Sequence, residues 1–116
     1  PPVSLGRRPS QVVENPGMNI RIINAPLPEV VDMLERRMRP EARERLREQR
    51  FDAVGVMQTT VADLFYYADI AGKASNVFTV ELFGSCPQHV STLAFFGETS
   101  AVRLAMHAIE NDAKAF

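Results

Sequence analysis

Two runs rich in β-branched and aromatic residues, 77–83 and 90–96, are parted by only Gly84-Ser85-Cys86-Pro87-Gln88-His89. A connection that short, holding a Gly and a Pro, turns the chain back rather than carrying it across a sheet on a helix. The two runs therefore predict an antiparallel hairpin. Upstream, residues 51–57 predict another strand. Behind it Thr59 or Thr60 can cap a helix whose apolar stripe is Val61, Leu64, Phe65, Ala68 and Ala71, ending near Asn76. Downstream, Gly97 breaks the hairpin's second strand and Thr99 or Ser100 caps. Val102, Leu104, Ala105, Ala108 and Ile109 then give a last helix to about Asp112.

Ahead of these elements, residues 19–24 form a short β-branched run closed by Pro26 and Pro28, which suits a strand. Leu27, Val30, Val31 and Leu34 then recur at three and four, with acids early and Arg36, Arg37 and Arg39 late, so residues 27–38 predict an amphipathic helix. Pro40 stops that helix or opens a second, polar one over residues 41–49 around a single Leu46. The predicted order is β-α-β-α-β-β-α. It implies an α/β fold of the α+β kind, a mainly antiparallel sheet with helices packed on it.

At 116 residues the chain suits one domain, here residues 18–116. Residues 1–17 hold four of the eight prolines and end in the turn sequence Asn15-Pro16-Gly17, so they read as an N-terminal arm. With 46% apolar and 23% charged residues the chain is of ordinary globular composition, and a net charge of -1 gives no reason to expect nucleic acid as a partner. The arginines at 36, 37, 39, 43, 45, 47 and 50 alternate with Glu35, Glu41, Glu44 and Glu48, which predicts a solvated, self-paired helix instead of a nucleic-acid surface. No run approaches the length of a spanning helix and the opening residues lack a signal peptide's apolar core. No membrane is expected, and the location expected is cytoplasmic.

The sole cysteine, Cys86, cannot pair within the chain. It is either a small buried hydrophobe or, set between Ser85 and Pro87 in a polar hairpin, a ligand that assembly would repeat. His89 reads as a surface residue with ligation as the alternative, and His107 as an ordinary helix residue. Tyr66 and Tyr67 cannot face the same way, so one belongs to the core. No nucleophile set, phosphate loop or paired-cysteine motif is present, so the chain does not read as an enzyme.

From residue 51 onward the sequence resembles the bacterial microcompartment (BMC) shell domain. Asp52-Ala53-Val54-Gly55-Val56-Met57 resembles the family's opening strand, residues 68–77 its first helix and following strand, and Gly97-Glu98-Thr99-Ser100-Ala101-Val102 the turn into its last core helix. Residues 19–23 and 27–38 stand where a circular permutation would move the domain's closing strand and helix. The resemblance implies a structural protein that forms a homohexamer, meets other shell proteins through an edge lysine, Lys73, and lines a central pore with Gly84, Ser85, Cys86, Pro87 and Gln88. The loop is similar to that of shell proteins from glycyl-radical-enzyme propanediol-utilisation compartments. That likeness implies an iron–sulfur cluster, of the 4Fe–4S kind, shared between subunits at the pore through Cys86, for electron transport or cluster transport. In permuted relatives an arm like residues 1–17 can build a small barrel over the pore. The arginine-rich insert and the longer pore loop are departures from those relatives. A rival reading from another class is a ligand-binding regulatory oligomer of ferredoxin-like topology, because fold alone does not choose between them.

Overall fold

The structure, a computed structural model, describes residues 18–84 and 90–114. Its elements run β1 (Asn19–Asn24), α1 (Pro28–Glu35), α2 (Pro40–Arg47), β2 (Ala53–Thr60), α3 (Val61–Ala74), β3 (Phe78–Leu82), β4 (Val90–Gly97) and α4 (Thr99–Lys114). The strands form one sheet in the order β1-β2-β4-β3, every pairing antiparallel. The α+β class and the hairpin of β3 with β4 are as the sequence predicts. The early strand is part of the sheet, pairing along β2 from Asn19 opposite Gln58 to Asn24 opposite Ala53.

Both faces of the sheet are covered, and alternation along the strands says by what. On one face Ala53, Met57, Leu93 and Phe95 meet Leu64, Tyr67 and Ala71 of α3 and Val102, Ala105, Met106 and Ile109 of α4. On the other, Val54, Val80, Leu82, Ala94 and Phe96 meet Met38 and Leu46, with Leu34 and Ala42 partly buried beside them. The central strands β2 and β4 thus have apolar residues on both sides. Edge strand β3 turns Val80 and Leu82 into the core and leaves Thr79 and Glu81 half-buried.

Helix faces are where the structure departs from the sequence pattern. In α3 the buried residues are Leu64, Tyr67 and Ala71, while Val61 and Phe65 are exposed, Phe65 by 66%. In α4 Met106 and Ala113 are buried and Leu104 is exposed. A residue one or two steps off the stripe is rotated by 100–200° at helical geometry, so a count of apolar spacings alone picks the wrong member where two overlapping stripes exist. The first amphipathic helix also ends sooner than predicted. After Glu35 the chain tightens into three-residue bonds, Arg37 N–H to Leu34 O and Met38 N–H to Glu35 O, both 3.0 Å, and this turn drives Met38 into the core. Pro28 and Pro40 each stand at a helix start, where the missing N–H costs nothing.

The arginine-rich segment is a helix with an exposed surface, but its charges are not self-paired. Among the described residues the ion pairs are Arg36 with Asp32 and Lys73 with Asp69, each at 2.7 Å, and neither lies in α2. Arg43 instead reaches back to the carbonyls of Glu35 and Met38, at 3.3 and 3.1 Å. It ties α2 back to the end of α1 and the turn that follows it.

Candidate functional site

Strand register sorts the chain's features to two ends of the sheet. Asn19 lies opposite Gln58, Thr60 opposite Val90 and Leu82 opposite Thr92, so the start of β1, the end of β2 and the loop end of the β3–β4 hairpin share one end. At the other, Asn24 and Gly97 both lie opposite Ala53, and Phe78 lies opposite Phe96. Helix α3 starts at the hairpin end, directly after Thr60, and runs back for 14 residues, roughly 20 Å at 1.5 Å per residue. Lys73, in its last turn, therefore stands at the opposite end of the domain from Leu82 and Val90, the strand ends that the cysteine loop joins. Its ammonium is exposed and, among the described residues, pairs with exposed Asp69, a contact of small stabilising value that leaves it free to change partner.

Ser85, Cys86, Pro87, Gln88 and His89 lie outside the described residues. The roots of their loop, Gly84 and Val90, are described. Gly84 has φ +89°, a conformation that side chains with a Cβ rarely adopt. A Cβ there would also press to 3.3 Å from the Arg37 guanidinium. The root is tied down from the α1–α2 turn: Phe83 N–H donates to Arg37 O at 2.8 Å, Arg37 Nη1 donates to Gly84 O at 3.4 Å, and the Arg39 guanidinium lies 4.4 Å above the Phe83 ring. The sequence pattern assigned these arginines to a solvated helix surface. The signal that locates them is Met38: once it is turned inward, its neighbours on either side point out over the end of β3.

Two clefts flank this tie. One of about 430 Å³ is lined by Leu34, Arg37, Val56, Gln58, Leu82, Gly84 and Thr92. The other, about 360 Å³, runs along the β3 edge between Arg39, Arg45 and Glu81. Among the described residues no group of three His, Cys, Asp or Glu side chains converges as a metal site.

The tyrosines divide as predicted: Tyr67 is core and Tyr66 exposed. Tyr66 donates to Asp112 Oδ1 at 2.9 Å, and this hydrogen bond is the largest cause raising its pKa, followed by desolvation. Burial raises that of Tyr67, with the Asp112 carboxylate adding to it. His107 is exposed on α4.

No protein-family model and no curated protein matches the chain. Solved structures do. An α+β domain with this four-stranded antiparallel sheet is consistent with a microcompartment shell domain, and by its likeness to a solved member the chain belongs to the bacterial microcompartment shell proteins, of GrpU type. It is 47% identical to the GrpU microcompartment shell protein from Pectobacterium wasabiae, whose ligand-free structure matches over 79% of this chain and 99% of that one with a TM-score of 0.66. Membership makes the chain a structural component of the microcompartment shell and not an enzyme, and it decides against the regulatory oligomer. Among the described residues no helix is long and apolar enough to cross a membrane.

Proposed function

We propose that the chain forms homohexameric tiles of the shell, with the loop from Gly84 to Gln88 around a central pore, six copies of Cys86 facing one another, and Lys73 at the edge where tiles meet other shell proteins. The observation that carries this is the polarity of the domain. The hairpin root and Lys73 sit at opposite ends of α3, as a centre and a rim require. A closed ring also needs each chain to present two different surfaces, since cyclic interfaces beyond the dimer are heterologous. β1 begins at Asn19, at the hairpin end, the end to which the arm expected from the sequence is attached.

The donor set suits an iron–sulfur cluster only in the assembly. A four-iron cluster takes four thiolates, one chain supplies a single cysteine, and a ring of six supplies enough. Cys86 would hold the iron, and the cluster would supply one-electron transfer across the shell or be carried through it. Around it this chain's residues have separate tasks. Gly84 turns the backbone at the root, Pro87 would limit φ beside the ligand, and the N–H groups of Ser85 and Cys86 would be available as donors that tune the potential. Oxygen-sensitive glycyl-radical enzymes of propanediol utilisation are the cargo such a shell would serve.

Anaerobic reconstitution tests the reading. The parent should carry iron and sulfide with broad visible absorption, and Cys86→Ser should lose both while keeping the parent's assembly state. An iron-free parent after reconstitution overturns the cluster.

A further inference from the structure

Strand β3 pairs with β4 and is the last strand of the sheet, so alternate residues along it direct both N–H and C=O away from the sheet. Those groups open onto the cleft of about 360 Å³, which has four successive strand residues, Phe78 to Glu81, on one side and α2 on the other. A helix laid over an edge would close it to further strands. Here α2 packs through Leu46 onto the face of the sheet, with Val80 and Phe96, and the cleft remains between it and the edge. A groove between an edge strand and a helix is the geometry in which extended peptides join a sheet as one more strand, with main-chain bonds giving affinity and alternate side chains giving specificity.

The side chains on the two walls set which peptide fits. Arg39, Ala42 and Arg45 recur every third residue and line the cleft with one acid, Glu41; both arginines are exposed. Six helical steps part them by about 9 Å along the axis, whereas side chains two apart on one face of a strand are roughly 6.7 Å apart. Two long, flexible arginines span that difference. An added strand would turn one row of side chains to the α2 side, where Val80 and the partly buried Phe78 lie. Its other row would lie beside Thr79 and Glu81, which alternate with them along β3. Acids two apart in the first row would meet Arg39 and Arg45, apolar neighbours would meet Phe78 and Ala42, and threonines in the second row suit Thr79 and Glu81.

We propose that this groove docks an extended segment of a partner protein, acidic at two alternate positions and β-branched around them, which joins the sheet beside β3. The arginine-rich helix then has a task that a solvated surface would not give it: it selects the segment that the strand edge binds. Neither the hexamer nor the cluster enters into this docking.

The probe is the peptide Val-Thr-Glu-Thr-Glu-Thr-Val, carrying fluorescein at its N terminus and an amide at its C terminus, titrated with the full chain at low ionic strength and followed by fluorescence anisotropy. Two further peptides carry N-methyl groups, one on its threonines and the other on its valines and glutamates. Only alternate N–H groups of a strand face a given neighbour, so one methylated peptide should bind roughly tenfold or more weakly and the other should keep its affinity. Arg39→Gln and Arg45→Gln should each weaken the unmethylated peptide about twofold to fivefold, as expected for an exposed ion pair. Lysines in place of its glutamates should weaken it further. If either variant misfolds, the two methylated peptides on the unaltered protein decide alone. Equal binding of those two, indifference to both substitutions, or no binding of the unmethylated peptide at millimolar concentration overturns the proposal. Binding only to chains diluted out of the assembly would assign the groove to a second copy and overturns it as well. Cys86→Ser should bind the peptide as the parent does, so a failed cluster reconstitution leaves this result unchanged.

Discussion

Among the described glycines Gly55 is the one where an added side chain would meet its neighbours most closely, and replacing it tests the packing of α4 on the sheet. It lies in β2 between Ile22 and Phe95, on the face covered by α3 and α4. A Cβ added there would fall 2.6 Å from Met106 Sδ and 3.0 Å from its Cγ, about 1 Å inside ordinary contact between such atoms. Met106 is a flexible side chain, but at 1% exposure it has little room to swing away. Gly55→Ala should therefore cost about 1–3 kcal/mol, the usual range for overpacking. Met106→Ala alone should cost about 2–5 kcal/mol by leaving a cavity. Together they should cost less than their sum by at least about 1 kcal/mol, because the new methyl fills part of the space that the lost thioether vacates. Urea unfolding at one fixed chain concentration measures the cycle, since assembly makes apparent stability depend on concentration. Additivity within about 0.5 kcal/mol, or a neutral Gly55→Ala, would refute the close approach of α4 to β2.

Ala25 holds φ +48° while donating its N–H to Asp52 O at 2.7 Å; Ala25→Gly should relieve about 1 kcal/mol of left-handed strain and raise the unfolding midpoint. Both tyrosines should ionise above the usual 10.0. Their contribution to stability is thus complete below that pH and lost as pH rises through the raised folded values. Absorbance titration should show this cleanly in a chain without tryptophan, and Tyr66→Phe should remove one of two late transitions. Lys73→Glu should leave hexamers intact in solution while weakening sheet formation seen by electron microscopy; loss of the hexamer itself would misplace Lys73.

The strands and the hairpin were legible because β-branched runs bounded by Gly and Pro have few alternatives at this spacing. Leu46 was also readable, as the one apolar position of its helix, and so was the division of the tyrosine pair between core and surface, though not which of the two is buried. Phe65 and Leu104 were not. Periodicity assumes that a helix has one face to bury, and in α3 and α4 apolar residues remain on a second face. The roles of Arg37 and Arg39 were hidden for a different reason. Sequence spacing pairs them with nearby glutamates, whereas the turn at Met38 carries them 44–47 residues away in sequence, to Phe83 and Gly84. The loop's chemistry rested on one cysteine between Gly84 and Pro87, visible as a motif but informative only through resemblance.

The most direct measurement is native mass spectrometry of the anaerobically reconstituted protein. Six chains of 12.9 kDa, roughly 77 kDa in a closed ring, should appear with the added mass of one iron–sulfur cluster, and with none when Cys86→Ser is measured alongside. A dimer, or a hexamer equally loaded with and without Cys86, would contradict the account.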